Sequence, residues 1–295
     1  MNIHPTAIVS SEAKIASNVE IGPFAIVEAG TVIESGCVLE PRVSVKRGTT
    51  LGEGNVVCEG SILGHRPQHI HMTEPYGGLI IGRDNTIREH CTIHCAMYPD
   101  KCTQVGDSNF IMAGAHIAHD CVFGNHIILT NNAMLAGHVQ VEDHANISGL
   151  VGVHQFCRIG MFAMVGGTAL IVQDVPPFVT VDGGTSLAVG VNLIGLRRAN
   201  VSNAEIRQIQ AAYKVLYGER HPWPMIVESL RSRFPSGMAS HFADFLEGAK
   251  KRGIILDRRS NPLKLVRVDE AESARVKMVS RVSEEESVQA IRVTG

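Results

Sequence analysis

Histidine is the side chain that gains and loses its proton near neutral pH, and this chain sets one beside a carboxylate in His116-Ile117-Ala118-His119-Asp120. A neutral imidazole there can take the proton from a hydroxyl that attacks an acyl carbon. Further histidines follow at His126, His138, His144 and His154. Alone, each reads as a solvent-facing polar residue; the His119-Asp120 pair reads as chemistry. No G-x-S-x-G elbow or Ser-His pair in the context of such an elbow appears, so a covalent acyl-enzyme is not required. Direct transfer with His119 as general base is the economical mechanism.

Metal chemistry fits the spacings poorly. Cys91, Cys95 and Cys102, beside His90 or His94, are spaced C-x3-C-x6-C and match no common zinc pattern. A β-helical carbonic anhydrase needs two histidines five apart on one coil and a third on a neighbouring coil. His116, His138 and His144 do not keep that spacing. No metal site is assigned.

The elements that position His119 are announced by a period of six. Of the 29 positions in register from Ile3 to Ile171, 25 are Ile, Leu or Val; the exceptions are His69, Pro75, Pro99 and Phe123. A helix would need a period near 3.6 and an ordinary strand a period of 2. A period of six describes a short strand and turn recurring as one solenoid unit, with three hexads per coil of a parallel β-helix. The lapses at 64–80 and 94–104 carry Pro67, Pro75, Gly77, Gly78 and Pro99 and read as loops that rejoin the next coil in unchanged phase. With about 18 residues per coil, His119 stacks against Gly137 and Asp120 against His138. A glycine above the base leaves its N–H open to a developing oxyanion.

The repeat gives way near Pro176 and Pro177, so residues 1–180 are read as the solenoid. A Gly-rich bridge leads into a helical domain, 181–255. Ser202 and Glu205 form a capping-box signature, and Ile206, Ile209, Tyr213, Leu216 and Tyr217 share a helical face that Gly218 closes. Further helices are expected over 225–234 and 239–250. Residues 256–295, with acidic stretches at 269–272 and 283–287, read as a loose or edge-paired tail. The fold class is all-β with a C-terminal α-helical domain.

A formal net charge of −2 offers no basic field for nucleic acid or an anionic membrane. No stretch of 18 uninterrupted apolar residues exists, and Met1 to Ala7 lack a charged region followed by an apolar one, so stable membrane insertion is not expected and a cytoplasmic location is. The seven cysteines, odd in number and mostly within the repeat, read as reduced small hydrophobes.

The motifs His116-Ile117-Ala118-His119-Asp120-Cys121, Asn131-Asn132-Ala133, Leu135-Ala136-Gly137-His138-Val139 and Val153-His154-Gln155-Phe156-Cys157 resemble those of UDP-N-acetylglucosamine O-acyltransferases. The likeness runs from Ile3 through Gly190-Val191-Asn192 to near residue 255. It implies a left-handed parallel β-helix, a homotrimer with clefts between subunits, and the first step of lipid A synthesis. The donor would be a 3-hydroxyacyl chain on the phosphopantetheine of acyl carrier protein, with no other cofactor, and the acceptor the glucosamine 3-hydroxyl of the nucleotide sugar. By the same resemblance His119 is the general base, Asp120 its supporting carboxylate and Gly137 the oxyanion N–H. His116, His138 and His154 contact or orient substrate, and Gln155 lines the cleft. Gly167 stands where acyl length is gauged, because a larger side chain there would shorten the groove.

Departures fall in the acceptor and donor contacts. His69 and His71 stand where the family usually has Asp and Lys, and His69 cannot supply a permanent carboxylate. Cys95-Ala96-Met97 replaces a common Arg-Gly-Thr, and Ile194 a frequent Glu near Asn192. Arg197 and Arg198 remain of the paired basic residues and suit a diphosphate or the carrier's phosphate. Rival readings are a paralogue acting on a 3-amino sugar nucleotide, an acetyl-CoA-dependent acetyltransferase and a non-catalytic trimeric scaffold.

Overall fold

The computed structural model describes residues 2–258 apart from Thr73, Arg220 and 250–252. Residues 259–295, with both acidic stretches of the expected tail, lie outside the described residues.

In the solenoid each hexad folds as a short strand, mostly of two residues, and a corner. Successive strand residues face opposite ways, so Ile117 and Leu135 are fully buried while their predecessors His116 and Met134 face outward. Every third strand joins the same sheet, giving sheets of 11, 9 and 8 strands around one aliphatic core. Pairing is parallel throughout the coils, which wind as a left-handed parallel β-helix. Only the last pair, Val179–Val181 with Ala188–Val191, is antiparallel. Burial of each inward Ile, Leu or Val stabilises the stack by about 1.5–3 kcal/mol.

The three-hexad coil holds where His116 pairs with Met134, but two coils are longer. Ile62 pairs with Thr92, which lengthens that coil by two hexads, and Thr92 with His116, which lengthens the next by one. The surplus forms loops after the strands Ile62–His65 and Thr92–His94. Both insertions are whole hexads, so each strand keeps its inward face.

At most corners the second residue has a left-handed φ, including +59° at Asp120, +62° at His138 and +65° at Phe156. Outside glycine this costs roughly 1 kcal/mol or more. Stacking along the edges offsets it: His126 on His144 at 4.8 Å, His144 on Phe162 at 4.5 Å, and His138 on Phe156 at 4.6 Å between ring centroids. Inside the lengthened coils, buried asparagines bridge layers, with Asn55 Oδ1 accepting from the Asn85 N–H and Asn85 Oδ1 from the Asn109 N–H.

The helices are α1 (Leu193–Arg198), α2 (Asn203–Gly218), α3 (Trp223–Arg233) and α4 (His241–Glu247), with a 3-10 turn at Met238–Ser240. Ser202 caps α2 by accepting from the Glu205 N–H at 3.2 Å. The reciprocal half of the expected capping box is missing, because the Glu205 carboxylate instead accepts from the Met238 N–H at 3.1 Å. Helix α3 starts two residues earlier than expected, since Pro224 falls in its first turn, where a missing N–H costs nothing. The third expected helix is divided between the 3-10 turn and α4.

Two polar clamps seat α4 on the solenoid. Arg158 donates to Asp174 and to the Phe245 carbonyl, both at 2.8 Å, with its guanidinium 4.1 Å above the Phe245 ring. His241 Nε2 lies 2.7 Å from Glu142 Oε2. The chain then returns to the solenoid: the Ala188 N–H donates to Leu256, the Arg258 N–H to Ala188, and the Tyr213 hydroxyl to the Asp257 carboxylate. Leu256–Arg258, assigned to the tail from sequence, are thus packed, and residues up to Arg258 form one compact unit. Among the described residues no helix is long and apolar enough to cross a membrane.

Candidate active site

One edge of the prism, between the second and third sheets, carries the chemistry. Both long loops leave the coils at this edge, after His65 and after His94. The next three coils present there His119-Asp120, Gly137-His138 and Gln155-Phe156.

His119 is buried, with its Nδ1 2.7 Å from Asp120 Oδ2. An ionised carboxylate only accepts, so Nδ1 carries the hydrogen and Nε2 keeps its lone pair. Asp120 is itself held from three sides: Oδ2 accepts from the Met97 N–H at 3.1 Å, His138 Nε2 lies 3.9 Å away, and its backbone N–H donates to Thr103 Oγ1 at 2.9 Å. Burial pushes the Asp120 carboxyl up, but the bonds from His119 and Met97 outweigh it and hold it below the usual aspartate value. His119 therefore has a charged partner across the neutral range.

Gly137 lies against the imidazole. A Cβ there would sit 2.5 Å from His119 Cε1 and 2.7 Å from Nε2, so only glycine admits the ring in this position. The Gly137 N–H has no acceptor among the described residues. The expected one-coil stacking of His119 on Gly137 and of Asp120 on His138 is what the edge displays; the His138 N–H donates to the His119 carbonyl at 3.0 Å.

His138 stands edge-on to His119 at 5.3 Å and flat on half-exposed Phe156. Its pKa is lowered, chiefly by burial, against the opposing charge of Asp120. His69 meets His119 edge-on at 5.7 Å, and its Nδ1 accepts from the His71 N–H at 3.1 Å. Beside them lies a cavity of about 640 Å³ whose lining includes Ile62, His65, His69, Met72, Thr92 and His94. His116 Nδ1 bonds Thr92 Oγ1 at 2.7 Å and its ring meets His94 edge-on at 5.0 Å. Burial, with the neighbouring histidines adding to it, pushes His94 down to about 4, and its buried Nδ1 has no hydrogen-bond partner among the described residues.

The remaining candidates lie further off. His154 and Gln155 are exposed one coil beyond Gly137. Gly167 occupies a corner at the opposite edge of the second sheet, where a Cβ would make only ordinary contact with the Gly149 carbonyl at 3.4 Å. Asn192 has a local use: its Oδ1 caps α1 through the Gly195 N–H and its Nδ2 donates to the Phe162 carbonyl, each at 2.9 Å. Arg197 and Arg198 are exposed in the last turn of α1. Sequence reasoning missed Met97, Thr103, Thr92 and His94 as neighbours of the pair. The two long coils hide Met97, Thr92 and His94, because the loops they carry break the constant offset that joins His119 to Gly137, whereas Thr103 stands one ordinary coil before Asp120, where Gln104 pairs with Val122.

A left-handed β-helix with a histidine-carboxylate pair on one edge is an architecture shared with the hexapeptide-repeat acyltransferases. Residues 174–255 match the family model described as UDP-N-acetylglucosamine O-acyltransferase, domain 2. An acyl-[acyl-carrier-protein]--UDP-N-acetylglucosamine O-acyltransferase of Janthinobacterium sp. is 44% identical over 263 residues, covering 86% of this chain and 98% of its own. One from Paraburkholderia phymatum is 50% identical over 216 residues, 73% of this chain and 82% of that protein. Among solved structures, the UDP-N-acetylglucosamine acyltransferase of Francisella novicida superposes with a TM-score of 0.84 at 33% identity, covering 91% of this chain and all of the other. The chain belongs to the UDP-N-acetylglucosamine O-acyltransferase family and is an enzyme of that acyltransferase type.

Proposed function

We propose that the protein moves a 3-hydroxyacyl chain from the phosphopantetheine thioester of acyl carrier protein to the 3-hydroxyl of UDP-N-acetylglucosamine, opening lipid A synthesis. The carrying observation is the His119-Asp120 pair facing the Gly137 amide. His119 Nε2 takes the hydroxyl proton as the oxygen attacks the thioester carbon. The oxyanion then receives the Gly137 N–H, and Asp120 steadies the imidazolium. Collapse expels the pantetheine thiolate, to which Nε2 returns the proton, so no proton is left over.

His138 and His116 orient the acceptor beside the base, His69 and His71 border the sugar, and His154 and Gln155 line the donor path. Asn192 serves by fixing α1, whose Arg197 and Arg198 meet phosphate. Gly167 lies at the opposite edge of the second sheet from His119 and the two arginines are exposed on α1, positions that a homotrimer would use if a neighbouring subunit completes the cleft. A cytoplasmic location goes with this reading, supported by the lack among the described residues of any helix long and apolar enough to cross a membrane.

The test incubates the protein with 3-hydroxyacyl carrier proteins of several lengths and UDP-N-acetylglucosamine or its 3-amino analogue, reading acylated product by mass spectrometry and subunit number by light scattering. O-acylated product from a trimer is expected. Product only from the 3-amino analogue, or only with acetyl-CoA as donor, would overturn the proposal.

A further inference from the structure

The edge that carries the base gathers more metal-binding groups than proton transfer needs. One ligating atom each from His119, Asp120 and His138 lies within 4.8 Å of the other two, the only such group among the described residues. His69 brings a further imidazole edge-on to His119, and this side chain is one of the chain's own departures. Imidazole with a single carboxylate suits zinc, nickel or copper, whereas magnesium and calcium want oxygen donors.

We propose that this edge binds a divalent transition-metal ion of the zinc class, held by His119, Asp120 and His138 with His69 as fourth donor, and that the bound ion switches the base off. Tetrahedral zinc at about 2.0–2.2 Å from its ligands spaces them roughly 3.3–3.5 Å apart. Closing the group around an ion thus asks for about 1 Å of movement. His138, with a third of its side chain exposed, and His69, on an exposed loop, can move in, while His119 Nδ1 and Asp120 Oδ2, 2.7 Å apart, spread by about 0.6–0.8 Å to admit the ion between them. Inhibition follows from binding at Nδ1. The ion takes the place of the hydrogen that His119 Nδ1 shares with Asp120 Oδ2, and that hydrogen moves to Nε2, so the ring stays neutral and Nε2 has no lone pair left for a substrate proton. The inference rests on this geometry and not on the identity of donor or acceptor.

The test titrates the full chain, without substrates, with Zn2+ by calorimetry and with Co2+ by visible absorption, using Mg2+ for comparison. Wild type should bind one ion per chain with a four-coordinate Co2+ spectrum and should ignore Mg2+. His138→Ala should bind about 10-fold more weakly or worse, His154→Ala as wild type, with circular dichroism confirming that both fold. Equal affinity in wild type and His138→Ala, equal losses in both variants, or a six-coordinate Co2+ spectrum would overturn it. Failure there leaves the acyl-transfer reading untouched, because repeating the acyl-transfer assay with a chelator present reads the base without any ion.

Discussion

Replacing Gly137 by alanine tests the fit between base and amide with a single methyl group. The new carbon would lie 2.5, 2.7 and 3.1 Å from Cε1, Nε2 and Nδ1 of His119, against ordinary non-bonded separations of about 3.5–4.0 Å. The ring must therefore retreat by roughly 1 Å, which stretches its 2.7 Å bond to Asp120. Gly137 does not have a left-handed φ, so alanine adds no backbone strain and the damage falls on the ring. A displacement of about 1 Å at a reacting group costs on the order of 100-fold in rate, or about 2.7 kcal/mol of barrier. Steady-state kinetics with a 3-hydroxyacyl carrier protein should show kcat down about 100-fold, with the melting temperature within a few degrees of wild type. Turnover within about threefold of wild type would refute the reasoning, because the ring would then have room that the geometry denies it.

Three other outcomes follow from the same contacts. Asp120→Asn keeps the shape but can turn an NH2 toward Nδ1, losing control of the tautomer; kcat should fall roughly 1000-fold or more in the same assay, and near-normal turnover would contradict that role. Arg158→Ala leaves buried Asp174 without its guanidinium and frees α4, so urea unfolding should show a loss of about 3 kcal/mol. The pKa of His241 is raised, first by its hydrogen bond to Glu142, with burial opposing and the charges of Glu142 and Asp244 adding. Its stabilisation is complete below the unfolded value of 6.5 and fades as pH climbs through the higher folded value. The melting-temperature gap between wild type and His241→Ala should thus be widest in acid and narrow toward alkaline pH; a constant gap would remove the clamp.

The solenoid was legible because burial on a two-residue strand admits only one inward residue per hexad, so Ile117, Leu135 and Val153 announce their own orientation. The constant coil length then carried His119 to Gly137 without any coordinates. It failed at the long coils, where Met97 reaches Asp120 from a loop whose length a periodic rule does not count. Glu205 shows the limit of local motifs: its spacing from Ser202 predicts a capping box, yet a free N–H at Met238, far along the chain, takes the carboxylate. The pairing of 254–258 with the last coil was likewise hidden, because it depends on where α4 releases the chain.

The most direct measurement compares His119→Ala with wild type, reading single-turnover acyl transfer beside calorimetric binding of UDP-N-acetylglucosamine. Loss of the base should lower the rate roughly 100-fold or more while the sugar nucleotide still binds. An unchanged rate in the folded variant would show that the proton leaves by another route and would contradict the role assigned to His119.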